Sequence, residues 1–279
     1  MASSDLTGKT VVITGASAGL GAIAAHKMAS RGATVVPIGR NPQKTAAVAE
    51  SIGVEGVVAD FASLERVRSL ADELLERCPQ IDVLANNAGG LFSGYEVTED
   101  GHELTFQANH LAPFLLTSLL RERLQADGGA RVINTASVAH KVGKVNFDDL
   151  DNLKRTYRAF PVYGTSKLEN ILFTRELAQR WNGTGVTAVC FHPGAVASEF
   201  GRDSFATGLV YRTPLKKLFT ITPEQGAAPL VELAARDDIE SCNGAYFSRH
   251  KPAGTSGQSN DPEVARELWD RSAAMVGLA

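Results

Sequence analysis

A phenol and a primary amine stand four positions apart in Tyr163-Gly164-Thr165-Ser166-Lys167. On a helix, residues i and i+4 share one face, so these two groups can meet at one spot. A free tyrosine has a pKa of about 10 and exchanges protons poorly at neutrality. A neighbouring ammonium stabilises the phenolate and lowers that value. Such a pair can give a proton to a carbonyl oxygen or take one from an alcohol. Helices hold many chance pairs of this type, so taken alone the pair also reads as surface packing.

A second grouping lies near the N-terminus. The apolar run Thr10–Thr14 leads into Gly15-Ala16-Ser17-Ala18-Gly19-Leu20-Gly21. Glycines admit positive φ and close backbone approach, and a following helix presents free N–H groups with a partial positive charge. Strand, glycine turn and helix together make a site for a pyrophosphate; the alternative is a tight strand–helix turn. The spacing is G-x-x-x-G-x-G, and no Lys-Ser/Thr follows, so an ATP-type loop is excluded. The next strand ends in Ile38-Gly39-Arg40. In a dinucleotide fold an acid at this position binds the ribose 2′-hydroxyl of NAD, whereas an arginine accommodates a 2′-phosphate. Arg40 therefore favours NADP, with NAD possible; the alternative is a solvated loop charge.

These groups need a scaffold. Short apolar runs predict strands at Thr10–Thr14, Thr34–Ile38, Gly56–Ala59, Ile81–Ala85, Arg131–Thr135, Val186–Phe191 and Ala245–Phe247. Helical patterns near 20–30, 43–51, 63–77, 103–124, 163–181 and 223–236 alternate with them, and a last helix runs from Pro262 to about Met275. This order predicts an α/β fold: a doubly wound parallel sheet of about seven strands, with helices on both faces. A single domain over residues 1–279 is expected. Ser137, the turn Asn86-Asn87-Ala88-Gly89-Gly90 and His192-Pro193-Gly194 follow the ends of three strands. Ligands of open α/β sheets bind outside such carboxyl ends, so all of these would converge with the glycine turn. The segments Lys141–Phe160 and 197–222 are longer than ordinary loops, and the second is expected to be a substrate lid. The tail from Lys251 to Asn260 reads as an exposed loop.

Composition excludes several classes. Hydrophobic residues make up 44% and charged residues 21%, which describes a globular chain rather than a disordered or collagen-like one. Twenty-eight Lys+Arg against 31 Asp+Glu leave a net charge of −3, so nothing drives nucleic-acid binding. Cys78, Cys190 and Cys242 are widely spaced, fit a reducing compartment and form no metal pattern. No apolar run reaches membrane-spanning length, and a cytoplasmic location without a stable membrane anchor is expected.

The ordered set Thr14-Gly15-x-x-x-Gly19-x-Gly21, Asn86-Asn87-Ala88-Gly89, Asn109, Ser137, Tyr163-x-x-x-Lys167 and Pro193-Gly194 resembles the short-chain dehydrogenase/reductase family. The likeness spans roughly residues 6–250. Glu99-Asp100-Gly101-His102-Glu103, Asn109-His110-Leu111 and the long Ser137-to-Tyr163 interval resemble its retinol-dehydrogenase-like branch. The resemblance implies an NAD(P)-dependent oxidoreductase acting on a carbonyl or alcohol. It makes Tyr163 the general acid/base, Lys167 the group that lowers its pKa and holds the nicotinamide ribose, and Ser137 the partner of the substrate oxygen. Gly15, Ser17, Gly19, Leu20 and Gly21 would border the phosphates. Asp60 would receive the adenine amine, with Phe61 beside the ring. Asn87, Ala88 and Gly89 would line the adenosine side, and Pro193, Gly194 and Val196 the nicotinamide. Helices 103–124 and 163–181 are that family's usual dimer surfaces, so a homodimer or homotetramer is possible.

Asn109 also has a reading of its own. Pro113 lacks an N–H, so in a helix the Asn109 carbonyl loses its i+4 donor and a kink results. The resemblance implies that this carbonyl holds a water passing protons towards Lys167; the alternative is a kink that serves packing. The run Asp148-Asp149-Leu150-Asp151 reads as a solvated face without a metal, because no histidine accompanies it at ligand spacing. His110, His140 and His192 lie near the expected pocket, more in structural or rim roles than as substrate contacts. Trp181 and Trp269 read as helix packing. Phe200, Phe205, Tyr211 and Phe219 in the expected lid suit a lipophilic or aromatic small molecule; the competing view is an amphipathic helix for self-association or membrane contact. Two rival classes, a non-catalytic dinucleotide-sensing protein and a methyltransferase, leave Tyr163 and Lys167 without a task.

Overall fold

The computed structural model describes residues 5–126, 128–153, 156–194, 221–255 and 257–278. Strands β1 (Thr10–Thr14), β2 (Thr34–Gly39), β3 (Val57–Val58), β4 (Val83–Asn86), β5 (Arg131–Thr135), β6 (Thr187–His192), β7 (Tyr246–Ser248) and β8 (Lys251–Pro252) form one sheet, ordered β3-β2-β1-β4-β5-β6-β7-β8. Strands β1 to β7 run parallel, and β8 returns antiparallel to β7. Eight strands thus replace the seven expected, and the extra one is a two-residue edge.

Alternation along the strands feeds two apolar layers. From β1, Val12 enters one layer while Val11 and Ile13 enter the other. The first layer holds α3 (Leu64–Arg77), α5 (Ala112–Leu119) and α7 (Ala159–Arg180). The second holds α1 (Gly19–Ala29) and α8 (Pro223–Ala235). Helix α2 (Pro42–Ser51), capped by Asn41, leads from β2 to β3. The carboxyl ends of β1, β4, β5 and β6 therefore share one edge, where the glycine turn also lies.

Three expectations are corrected. Helix 163–181 begins at Ala159, so Tyr163 sits in the second turn and does not open the helix. Pro161 lies in the first turn, where its missing N–H has no helical partner to lose. The helix expected over 103–124 is divided into α4 (Leu104–Phe106), a π turn Gln107–Leu111, α5, and α6 (Arg121–Gln125) after a break at Leu120. The tail Lys251–Asn260 is no free loop. Arg175 of α7 bonds Thr255 Oγ1 at 2.9 Å, Asn260 Oδ1 at 2.9 Å and the Ser259 carbonyl, and Gln258 exchanges hydrogen bonds with Val145 main chain. Helix α9 (Pro262–Met275) then lies across α5 and α7, with Trp269 4.9 Å from Phe114 and 5.8 Å from Phe173 between ring centroids. Among the described residues no helix is long and apolar enough to cross a membrane. The segment expected as a lid lies outside the described residues, apart from Ile221 and Thr222.

The segment before α7 is tied down by charge. His102 Nδ1 lies 3.2 Å from an oxygen of Asp151, both mostly buried, and Asp151 also accepts the Glu103 N–H at 3.1 Å. The hydrogen bond to Asp151 raises the His102 pKa against an opposing effect of burial. A raised histidine pKa adds stability that is full below the unfolded value and lost as pH rises through the folded one. Asp151→Asn should therefore cost roughly 1–2 kcal/mol in mildly acidic buffer and progressively less as pH rises through the raised His102 pKa. Urea unfolding of both chains across this range measures the gap, and a pH-independent gap would dismiss the ion pair.

Candidate active site

The glycine turn is locked to the neighbouring strands from below. Thr14 Oγ1 accepts the N–H groups of Asn87 (3.0 Å) and Ala88 (2.9 Å) and donates to the Ala85 carbonyl (3.3 Å). Asn87 Nδ2 donates to the carbonyls of Thr14 at 3.0 Å and Gly15 at 3.4 Å, and Thr135 Oγ1 donates to Asn87 Oδ1 at 3.4 Å. The ends of β1, β4 and β5 thus form one laced edge, and the Asn87 side chain is used in lacing it. Gly15 (φ +68°) leaves only 2.8 Å between a hypothetical Cβ and Ala88 Cα, and at Gly21 a Cβ would strike the Gly15 carbonyl. Gly19 (φ +57°) instead faces open space. Helix α1 follows the N-cap residue Ala18, with no side-chain cap and no acid in its first turn. Its N–H groups and positive dipole end therefore remain available to an anion. These observations fit a dinucleotide pyrophosphate.

Ser17 packs beneath the end of β2, where a Cβ on Gly39 would lie 2.5 Å from the Ser17 Cβ. Arg40 follows, exposed, and Leu20 is half-buried. Asp60 is exposed and accepts the Ala62 N–H at 3.0 Å. The Phe61 ring is packed into the first apolar layer. Gly194 (φ +105°) brings the turn after β6 against Ile221 and Arg249, with Pro193 half-buried beside it. Val196 lies outside the described residues.

Tyr163 and Lys167 come together on α7 as the spacing predicts, with Nζ 5.5 Å from the phenol ring centroid. Both are buried. Lys167 Nζ donates to the Thr135 carbonyl at 3.1 Å, and burial pulls its pKa down to about 8. Gly89 (φ +149°) lets the turn after β4 close on this group, since a Cβ there would sit 2.7 Å from Asn109 Oδ1 and 3.4 Å from Lys167 Nζ. Asn109 is buried in the π turn, where the Ala112 N–H reaches the Gln107 carbonyl five residues back. Single π turns are frequent at functional sites. Its side chain accepts from Gly90 N–H (2.8 Å) and donates to Gly90 O (2.9 Å) and Ser166 Oγ (2.9 Å). Ser166 in turn donates to the Tyr163 carbonyl at 2.8 Å. Ser137 stands two residues past the end of β5, and its Oγ accepts the Ala139 N–H at 3.2 Å.

Sequence reasoning placed Asn86 in the strand-end motif but assigned no role to the side chains beneath the site. Asn86 Nδ2 donates to Thr117 Oγ1 and Asn134 Oδ1, and Asn134 Nδ2 donates to Thr174 Oγ1, all at 2.9 Å. Asn170 shares the Thr135 carbonyl with Lys167. Ser166 was within reach, standing three residues after Tyr163 on the same face. Of the histidines, His110 is core: Nε2 lies 2.8 Å from Ser272 Oγ, and burial drops its pKa to about 3. His192 is largely buried, and that burial, with the nearby Arg249 charge, lowers its pKa to about 4. Among the described residues no cluster could hold a metal ion.

A Rossmann-type sheet with an uncapped glycine turn at one strand end and a buried phenol–amine pair at the next defines a dinucleotide-dependent oxidoreductase. The chain belongs to the short-chain dehydrogenase family, whose sequence model, described as short chain dehydrogenase, matches residues 9–208. Within it the chain falls in the retinol-dehydrogenase-like branch. It is 38% identical to human (Homo sapiens) retinol dehydrogenase 13, covering 98% of this chain and 86% of that one. It is 43% identical to a chain from Streptomyces sp. (strain C5) whose name assigns it daunorubicin C-13 ketoreductase activity, covering 98% and 94%. A solved short chain dehydrogenase from Burkholderia cenocepacia J2315 in complex with NADP is 25% identical, with a TM-score of 0.68 over 87% of this chain and 96% of that one. The protein is an enzyme that uses a nicotinamide dinucleotide to oxidise alcohol or reduce carbonyl groups. The sensor and methyltransferase alternatives fall away.

Proposed function

We propose that this enzyme uses NADP(H) to interconvert the carbonyl and alcohol of a lipophilic or aromatic small molecule, with Tyr163 carrying the proton. The observation that bears most weight is Lys167 Nζ lying 5.5 Å from the centre of the Tyr163 ring inside a buried site. Bound in the cleft, the dinucleotide supplies or accepts the hydride. Tyr163 gives its phenolic proton to the substrate oxygen in reduction and takes it back in oxidation. Lys167 favours the phenolate by its charge and reaches the nicotinamide ribose. Ser137 hydrogen-bonds the substrate oxygen and fixes it beside the phenol. Asn109 sets the turn of Gly89 and Gly90 and offers its main-chain carbonyl to a proton-passing water. Gly15, Ser17, Gly19, Leu20 and Gly21 would border the phosphates; Asp60, Phe61, Asn87, Ala88 and Gly89 the adenosine; Pro193 and Gly194 the nicotinamide.

An apolar substrate is supported by side chains around the two polar groups. Val138, Val142 and Phe160 are 48%, 54% and 47% exposed, and they flank Ser137 and Tyr163 along the chain. Exposed apolar side chains grouped at a site mark a binding surface more than isolated ones do. Retinol and daunorubicin, in the relatives' names, are of the same chemical character. Three free cysteines accord with a reducing, cytoplasmic setting.

Arg40 stands at the solvent-exposed end of β2, where a guanidinium can pair with a 2′-phosphate. Arg40→Asp should shift the NADPH-over-NADH preference in kcat/KM by roughly 10- to 100-fold towards NADH, as loss of one charge-assisted contact predicts. An unchanged ratio would remove Arg40 from the account. A panel of ketones, aldehydes and quinones followed by NADPH absorbance tests the reaction itself. Turnover confined to small hydrophilic carbonyls would overturn the substrate class.

A further inference from the structure

We propose that His140 is a positioning residue that holds Ser137 in place beside Tyr163, by setting two donors from one residue on one carbonyl. This rests on the roles proposed above for Ser137 and Tyr163. Ser137 is extended (φ −156°, ψ 155°) and caps a single 3-10 turn, Val138–Val142. Its carbonyl accepts the His140 main-chain N–H at 3.1 Å and the His140 Nδ1 at 2.7 Å. A 3-10 turn needs only the first of these bonds.

The second bond defines the ring. A carbonyl can only accept, so Nδ1 carries the hydrogen and Nε2 of the neutral ring is a bare lone pair. Burial, opposed by the bond to Ser137, lowers the His140 pKa and keeps the ring neutral. Among the described residues Nε2 is buried without a partner. A side chain present for packing alone need not bury an unsatisfied polar atom, which is unfavourable. The ring is also held edge-on to Tyr246, 5.2 Å away between centroids.

The clamped turn then seats directly on α7 next to Tyr163. A Cβ on Gly164 would lie 2.6 Å from the Ala139 carbonyl, and one on Gly143 would lie 2.7 Å from the Thr165 nitrogen. No side chain fits between turn and helix at this point. His140 fixes Ser137 to the turn, and the paired glycines fix the turn to the helix that carries the phenol. The distance between hydroxyl and phenol is thereby set from both sides.

His140→Leu keeps bulk and removes the donor, whereas His140→Asn places an amide N–H near the position of Nδ1. We expect His140→Leu to lower kcat roughly 10- to 100-fold, the effect of an ångström-scale misplacement. Its KM for NADPH and its circular dichroism should stay as in the wild type, and His140→Asn should recover most of kcat. Gly164→Ala, which displaces the same turn from the other side, should show the same split. Wild-type kcat in His140→Leu, or a folded His140→Asn no better than a folded His140→Leu, overturns the proposal. Should His140→Leu fail to fold, the decision falls to the other two variants. A recovered kcat in His140→Asn with a loss in Gly164→Ala supports the clamp, and either opposite result overturns it. Tyr163→Phe, assayed alongside, separates the failures. If it is active, the underlying site reading fails; if it is inactive beside a fully active His140→Leu, only the clamp fails.

Discussion

Tyr163→Phe should reduce turnover by about 10²- to 10⁴-fold, the range that a positioned general acid contributes, and leave NADPH affinity unchanged. The substitution removes one oxygen from a buried ring and keeps the surface that packs on α7 and under Lys167. The size of the loss depends on whether another group can supply the proton. His192 has its pKa lowered to about 4, so its ring carries no extra proton at neutrality. His110 is lower still, at about 3, and sits in the core against Ser272. The Nδ1 hydrogen of His140 is held by the Ser137 carbonyl. Lys167 lies one helical turn from the phenol with its ammonium directed at the Thr135 carbonyl. Among the described residues the nearby candidates are thus neutral or engaged, so on the proposed role of Tyr163 none of them replaces its proton. Single-turnover NADPH oxidation measures the chemical step, and fluorescence titration measures binding. Wild-type turnover in the variant would end the assignment of Tyr163.

Legibility in the sequence followed the range of the interaction. Tyr163 and Lys167 could be paired in advance because i,i+4 geometry is local and rigid. Gly15 and Gly19 were readable because a glycine turn between strand and helix demands positive φ, which both adopt. The strand ends converged because parallel order follows from the alternation of short and long apolar patterns. Gly164 and Gly143 were not readable in the same way. Their role is a backbone contact across 21 residues, and a glycine's type does not say what it must admit. The start of α7 was placed at Tyr163, four residues late, because a proline at position 161 is compatible with a first turn and carries no signal that distinguishes it from a loop. The tail Lys251–Asn260 is polar and glycine-containing, the composition of a loop, yet Arg175 from the C-terminal part of α7 holds it. Phe61 shows the converse limit. A family role placed it beside an adenine, while its burial in the first apolar layer gives it packing to do whatever else it touches.

Lys167→Met should slow turnover by roughly 10- to 10³-fold, since an adjacent opposite charge changes an acid's proton affinity by that factor. The same substitution should make the protein more stable at neutral pH. Burial pulls the Lys167 pKa from 10.5 down to about 8, so the folded chain disfavours its charge. Below about 8 both states hold the proton and the penalty is fully present. Between about 8 and 10.5 the unfolded chain binds more protons, and wild-type stability rises with pH. Methionine has similar bulk and no charge to bury, so the variant should exceed the wild type by roughly 1–3 kcal/mol near pH 7. The lost bond to the Thr135 carbonyl offsets part of that gain, although Asn170 Nδ2 still donates to the same oxygen at 3.2 Å. The advantage should shrink as pH climbs through the same window, while the wild-type rate loses its ammonium-dependent part above about pH 8. Denaturation and pH–rate profiles of the two proteins test both halves together. A variant less stable than the wild type at neutrality would mean that the ammonium is held by favourable contacts, and one retaining the wild-type inflection in rate would show that a different group titrates there.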